Sequence, residues 1–127
     1  MVTGQCECGA VKFETATVRP EVTFCHCSQC RRLSGHLWAS THVPFSAVTF
    51  TNDAGLAWYA SSGWAERGFC NTCGSTLFYR LTGKDDLGIA AGCLDDDAGL
   101  KPGKHIFVAD KGNYYEIAGD APQLDTH

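Results

Sequence analysis

A chain of 127 residues with a hydrophobic fraction of 44% has the size and composition of one domain with a core of its own, spanning residues 1–127. Its 14 acidic and 10 basic residues give a formal net charge of −4, which argues against nucleic acid as a partner. No membrane-spanning helix is expected, since no apolar run approaches the ~20 residues one needs.

The N-terminus, Met-Val-Thr-Gly-Gln-Cys, has neither a basic region nor an apolar signal stretch, so a cytoplasmic location is expected. Eight cysteines in such a chain are better read as metal ligands than as four disulfides. Cys6 and Cys8 flank a single residue, and Gly9 behind them lets the backbone turn its amides toward the thiolates. Ala10, Val11 and Phe13 then open a strand that runs toward Thr17. Arg19-Pro20 is a turn, and residues 21–24 form a short β-rich run that delivers Cys25.

The next stretch is Cys25-His26-Cys27-Ser28-Gln29-Cys30-Arg31-Arg32. Three thiolates this close repel one another unless a cation binds them, and zinc accepts sulfur ligands in tetrahedral geometry. Three protein ligands leave the fourth corner free for water, a thiol or a carbonyl, which is the pattern of a catalytic zinc. The alternative is a closed, structural site with His26 or Cys93 as fourth ligand. His26 lies between two ligands, which turns its side chain away, and Cys93 sits in an apolar run where a lone cysteine serves as a small hydrophobe. Arg31 and Arg32, directly after Cys30, and Arg67 further on are the cations suited to offset the thiolate charge and to hold an anionic substrate.

Residues 31–35 read as a helical turn or short helix that Gly35 ends. Strands are expected over residues 37–43 and 45–51, the latter with Val48 and Phe50 on one face. Asn52-Asp53-Ala54-Gly55 is a turn, and residues 56–60 and 64–69 form a hairpin across Ser61-Ser62-Gly63. Cys70-Asn71-Thr72-Cys73-Gly74 is a knuckle leading into another strand. With Cys6 and Cys8 it makes a four-sulfur set, all corners filled, and hence a structural zinc coupled to folding. A thioredoxin-like redox pair at Cys70 and Cys73 is the alternative, but that pair needs a strand-to-helix setting and these flanks read as β. Residues 87–94 suit a buried strand, Asp95-Asp96-Asp97 a solvated loop, residues 105–109 a last core strand and residues 114–117 an added edge. His105, a lone histidine, is more often a packing or capping residue than a catalyst. Many strand-sized runs and little helical periodicity predict a mainly β fold of several antiparallel sheets, stapled by zinc.

In this order the motifs resemble the glutathione-dependent formaldehyde-activating enzymes, the family that also includes centromere protein V. The resemblance is carried by residues 4–13, by residues 25–32 with Ser34-Gly35, by Ser61-Ser62, by Arg67 through Ser75, by Gly92-Cys93-Leu94-Asp95 and by His105-Ile106-Phe107-Val108. It implies a β-tent fold, a structural zinc on Cys6, Cys8, Cys70 and Cys73, and a catalytic zinc on Cys25, Cys27 and Cys30. It further implies the joining of glutathione to formaldehyde, a carbon–sulfur lyase chemistry. Two departures stand out. Gly112-Asn113-Tyr114 replaces the family's frequent Ala-Pro-Trp, and Cys93 stands where many members have Thr. The first favours a different thiol or aldehyde as substrate. A non-catalytic zinc module that binds another protein is the remaining alternative, and the oligomeric state is left open.

Overall fold

A computed structural model of the chain describes residues 1–96 and 98–127. Asp97, in the acidic loop expected from the sequence, lies outside the described residues. Among the described residues ten strands form two sheets, and one short α-helix follows the third strand in sequence. The mainly β reading therefore holds.

The small sheet has the order β1 (Val2–Gln5), β2 (Lys12–Thr15) and β5 (Thr49–Asn52). The large sheet has the order β10-β3-β4-β9-β8-β7-β6, made of β3 (Glu21–Cys25), β4 (Trp38–Val43), β6 (Leu56–Ala60), β7 (Ala65–Cys70), β8 (Thr76–Leu81), β9 (Leu87–Ala90) and β10 (Lys101–Ile106). All its pairings are antiparallel except that of β10 with β3.

Side chains alternate across a strand, so each cross-strand row belongs to one face. The row Thr41, Ile89, Phe78 and Gly68 faces the small sheet. Phe78 is fully buried there and meets Phe13 of β2 edge-on at 5.2 Å between ring centroids, and Phe50 of β5 at 5.7 Å. Burial of each such ring contributes about 1.5–3 kcal/mol. Gly68 is required in this row because a Cβ there would lie 2.8 Å from Phe78 Cδ2. The next row, His42, Gly88, Tyr79 and Arg67, faces the other way and floors a cleft.

Four expectations need correction. The run 45–51 is not one strand. Pro44 cannot donate to a ladder, and a 3₁₀ turn at Phe45–Ala47 precedes β5, closed by Val48 N–H donating to Phe45 O at 3.1 Å. Val48 and Phe50 nevertheless both pack on the core. The run 87–94 leaves the large sheet after Ala90 through a 3₁₀ turn at Ala91–Cys93 and crosses to the small sheet, where Leu94 bridges Gly4. The last strand lies earlier than residues 105–109. β10 begins at Lys101, and Phe107, with φ of 54°, turns the chain out of it. Pro102 is tolerated because β10 is an edge strand. Residues 114–117 form no strand. The segment that lies along β10 is instead 122–126, whose Pro122 and Thr126 carbonyls accept from His105 and Phe107 N–H at 2.8 Å each. Strand β1 was not foreseen.

Candidate metal centres and the cleft between them

The four-cysteine cluster joins the two sheets. Cys6 follows β1, Cys70 ends β7, and the sulfurs of Cys6, Cys8, Cys70 and Cys73 all lie within 4.8 Å of one another. Cys8 Sγ is 3.7 Å from the sulfurs of both Cys6 and Cys70. Zinc–sulfur bonds of ~2.3 Å in a tetrahedron place sulfurs about 3.8 Å apart, so this donor set fits zinc. Backbone amides already solvate the anions: Val11 N–H donates to Cys6 Sγ at 3.3 Å, and Thr72 and Cys73 N–H to Cys70 Sγ at 3.4 and 3.5 Å. The Ser75 hydroxyl beside Cys73, then the Ser75 amide, lower that thiol to about 5. The Cys73 amide, followed by that of Thr72, likewise lowers Cys70. Gly55 fits against the cluster for a steric reason, since a Cβ there would lie 2.9 Å from Cys70 Sγ.

The three-cysteine cluster stands at the end of β3 and the start of helix α1 (Ser28–Ser34). The sulfurs of Cys25, Cys27 and Cys30 lie within 4.8 Å of one another, and among the described residues no fourth histidine, cysteine or carboxylate joins them. Cys27 is the helix N-cap, its sulfur accepting from Cys30 N–H at 3.3 Å. Gly35, with φ of 84°, ends the helix where the sequence places its stop. The neighbouring thiols of Cys25 and Cys30 stabilise the Cys27 thiolate and lower it, whereas hydrogen bonding with Cys27 and then Cys30 pushes Cys25 up. Three anions cannot share this volume without a cation, and the all-sulfur donor set is one that zinc accepts.

Neither residue weighed as a fourth ligand points at this cluster. His26 is buried on the opposite side, where one ring nitrogen pairs with Tyr115 Oη and the other with His105 Nδ1 at 2.8 Å. Cys93 lines a separate hollow beside Cys6, and burial pushes its thiol up to about 12. His105 packs face to face on Phe24 at 4.8 Å.

The three-cysteine cluster opens into a cavity of about 450 Å³ lined by Cys25, Cys27, Cys30, Trp38, Arg67 and Tyr79, with His42 further along. Of the three arginines weighed, only Arg67 lines it. This residue is 6% exposed, and its guanidinium donates to Cys30 Sγ at 3.6 Å and to Gln29 Oε1 at 2.9 Å and lies 4.9 Å above the Tyr79 ring. Arg31 turns to the C-terminal segment, with Cδ 3.3 Å from where a Gly112 Cβ would stand, and Arg32 is exposed. Nor do Gly112, Asn113 or Tyr114 line the cavity. Tyr114 is tied to His36 at 2.8 Å, so this departure in sequence lies away from the cleft. Trp38, which the sequence suits to core or pocket wall, lines the cavity, whereas sequence reasoning missed Gln29, Tyr79 and His42. The alternation of Trp38, Ser40 and His42 along β4, with Trp38 in register with Cys25, was the signal that places His42 on the cleft face beside Trp38.

These features define a small mainly β protein with two cysteine clusters that could each hold a metal ion. Residues 1–110 match the glutathione-dependent formaldehyde-activating enzymes, and the chain belongs to that family. It is 31% identical over 122 residues to a Schizosaccharomyces pombe protein named an uncharacterized lyase, covering 91% of this chain and 84% of that one. It also resembles a crystal structure of a Rhodobacter sphaeroides protein, with a TM-score of 0.61 and 25% identity, covering 79% of this chain and 91% of that one. Among the described residues no helix is long and apolar enough to cross a membrane.

Proposed function

We propose that the protein is a zinc-dependent carbon–sulfur lyase that joins the thiol of glutathione to formaldehyde, giving S-hydroxymethylglutathione, and catalyses the reverse. The observation that carries this reading is a cluster of three cysteines, without a fourth protein ligand among the described residues, opening into a 450 Å³ cavity. Cys25, Cys27 and Cys30 would hold the zinc, which supplies a Lewis-acid position able to lower the pKa of a thiol or polarise a carbonyl. Cys6, Cys8, Cys70 and Cys73 would hold a second, structural zinc. In the addition the S–H bond breaks, a sulfur–carbon bond forms, and the proton passes to the former carbonyl oxygen.

The chain's own residues have three tasks. Arg67, fixed by Gln29, places a permanent positive charge beside Cys30 and so favours an anion in the cleft. Trp38 and Tyr79 wall the cleft with apolar surface that keeps bulk water from the reacting groups. Ser62 and Trp64, from the turn between β6 and β7, form its rim. Family membership and the named lyase relative support the chemistry. A purely protein-binding module would need no such cavity.

The test is formation of S-hydroxymethylglutathione from glutathione and formaldehyde, with the uncatalysed rate subtracted. Wild type accelerates it, and Cys27→Ser, retaining the four-cysteine zinc, does not. Equal rates for the two proteins contradict the reading.

A further inference from the structure

The side of the three-cysteine loop turned away from the cleft is held by two consecutive tyrosines, in a segment beyond the residues matched to the family. Tyr115 Oη pairs with His26 Nδ1, and the two rings stack at 5.6 Å between centroids. Tyr114 Oη pairs with His36 Nδ1 at 2.8 Å. His26 precedes helix α1 and His36 follows it, so the tyrosines reach both ends of the stretch that carries Cys25, Cys27 and Cys30. The two contacts are unequal. His36 and Tyr114 are exposed, where a hydrogen bond competes with water. His26 is 1% exposed, and its second ring nitrogen pairs with His105 Nδ1 at 2.8 Å. A neutral imidazole offers one donor and one acceptor, and a tyrosine hydroxyl can serve either. Nothing else among the described residues bonds to His26 Nδ1.

The segment itself is braced. Lys111 Nζ donates to the carbonyls of Gly112, at 2.8 Å, and Tyr115, and lies 4.4 Å from the centroid of the Tyr115 ring. Residue 112 must be glycine, because a Cβ there would strike Tyr114 Cε1 and stand 3.3 Å from Arg31 Cδ on helix α1. The Gly112-Asn113-Tyr114 departure noted in the sequence therefore packs against the back of the cysteine loop.

We propose that Tyr115 is a positioning residue for the three-cysteine centre: through His26 it fixes the backbone between Cys25 and Cys27, and so sets how firmly that cluster holds its metal. His26 is the one residue between the two cysteines, and its N–H donates to Ile106 O at 3.1 Å while its ring is held by Tyr115 and His105. A turn of that ring moves the backbone on both sides of it. Metal–sulfur distances tolerate only about 0.2 Å, so the movement is felt at the metal. Groups that orient ligands in this way are worth about 10–100-fold in metal affinity. The inference rests on the three-cysteine cluster holding a metal, as in the function proposed above. It does not rest on the bond-forming step.

The test follows zinc release from the loaded full chain to a chromophoric chelator. The phase missing from Cys27→Ser belongs to the three-cysteine site. Tyr115→Phe should speed that phase about 10–100-fold and leave the four-cysteine phase at its wild-type rate. Tyr114→Phe, which removes only the exposed contact, should leave both phases close to wild type. Val48→Ala, which loosens the core between the sheets, controls for stability alone and should not single out the three-cysteine phase. Coupling is reciprocal, so zinc at the three cysteines should also slow amide hydrogen exchange over residues 111–117 in wild type relative to Cys27→Ser. That comparison stands even where Tyr115→Phe fails to fold. The proposal is overturned if Tyr115→Phe releases zinc as wild type does, if it speeds both phases alike, if Val48→Ala speeds the three-cysteine phase alone, or if exchange over 111–117 is the same with that site filled and empty. A wild type that holds only one zinc overturns both this and the lyase reading. Selective release from Tyr115→Phe without rate enhancement by wild type would sink the lyase reading and leave Tyr115 its role. Rate enhancement with unaltered release from Tyr115→Phe would do the reverse.

Discussion

Two thiols outside any common role show how a cysteine's surroundings decide its chemistry. Cys93 and Cys73 are the same residue type on the same side of the molecule, yet burial drives the first up to about 12 and the Ser75 hydroxyl draws the second down to about 5. Thiolate is the reactive form. In the zinc-loaded protein at pH 7.5, iodoacetamide should therefore modify Cys93 far more slowly than after unfolding, as read by peptide mass spectrometry. Equal labelling rates would contradict the environments described. His105 gives a second prediction. Burial lowers its pKa below 6.5, so between pH 6.5 and the lower folded value the unfolded chain binds more protons than the folded one. Stability is then greatest above pH 6.5 and falls as the pH falls through that window. His105→Phe, which keeps a ring on Phe24, should show a shallower loss between pH 6.5 and 5 in urea unfolding, and a slope equal to wild type would contradict it.

At the scale of elements, local signals decided what could be read in advance. Hairpin β6–β7 is marked by a Ser-Ser-Gly turn between two β-rich runs, and helix α1 by the αL stop at Gly35, so both are legible in the sequence. The cysteine spacings also group the seven clustered thiols into the two sets that the fold brings together. Strand β10 is not legible. Lys101-Pro102-Gly103-Lys104 has the composition of a turn, and only the edge of β3 holds it extended, with a bulge between Pro102 and Lys104. The Tyr114 and Tyr115 stretch fails for the opposite reason. Its aromatic residues suit a strand, but they are spent on side-chain contacts with His36 and His26. His42 escaped because its partner Asp86 is 44 positions away and adjacent only through the β4–β9 pairing. Gly55 gives the element-scale prediction. It sits between Ala10 and Cys70, donating to Ala10 O at 2.9 Å, and a Cβ would stand 2.8 Å from Ala10 Cβ. Gly55→Ala should push the turn before β6 off the four-cysteine cluster, costing about 1–3 kcal/mol as overpacking does. It should also speed metal loss to a chelator, and unchanged loss kinetics would contradict this packing.

For the molecule as a whole, the proposed function divides the work of holding and of acting between the two clusters. The four-cysteine set ties β1 and β2 of one sheet to β7 and β8 of the other, while the three-cysteine set stands on the edge of a cleft on the far face of the large sheet. Cys70→Ser should accordingly abolish cooperative unfolding or lower the melting temperature severely, because structural zinc binding is folding energy. Cys27→Ser should leave a folded protein with one zinc. Comparable melting curves for the two variants would contradict this division. The central claim is that one metal keeps a free coordination position and the other does not. X-ray absorption at the zinc edge tests it most directly. With both sites filled, the account predicts an average of about three and a half sulfur neighbours per zinc, rising to about four when a thiol ligand is added. An average of four before any thiol is added, unchanged afterwards, would show that neither metal has a position to offer.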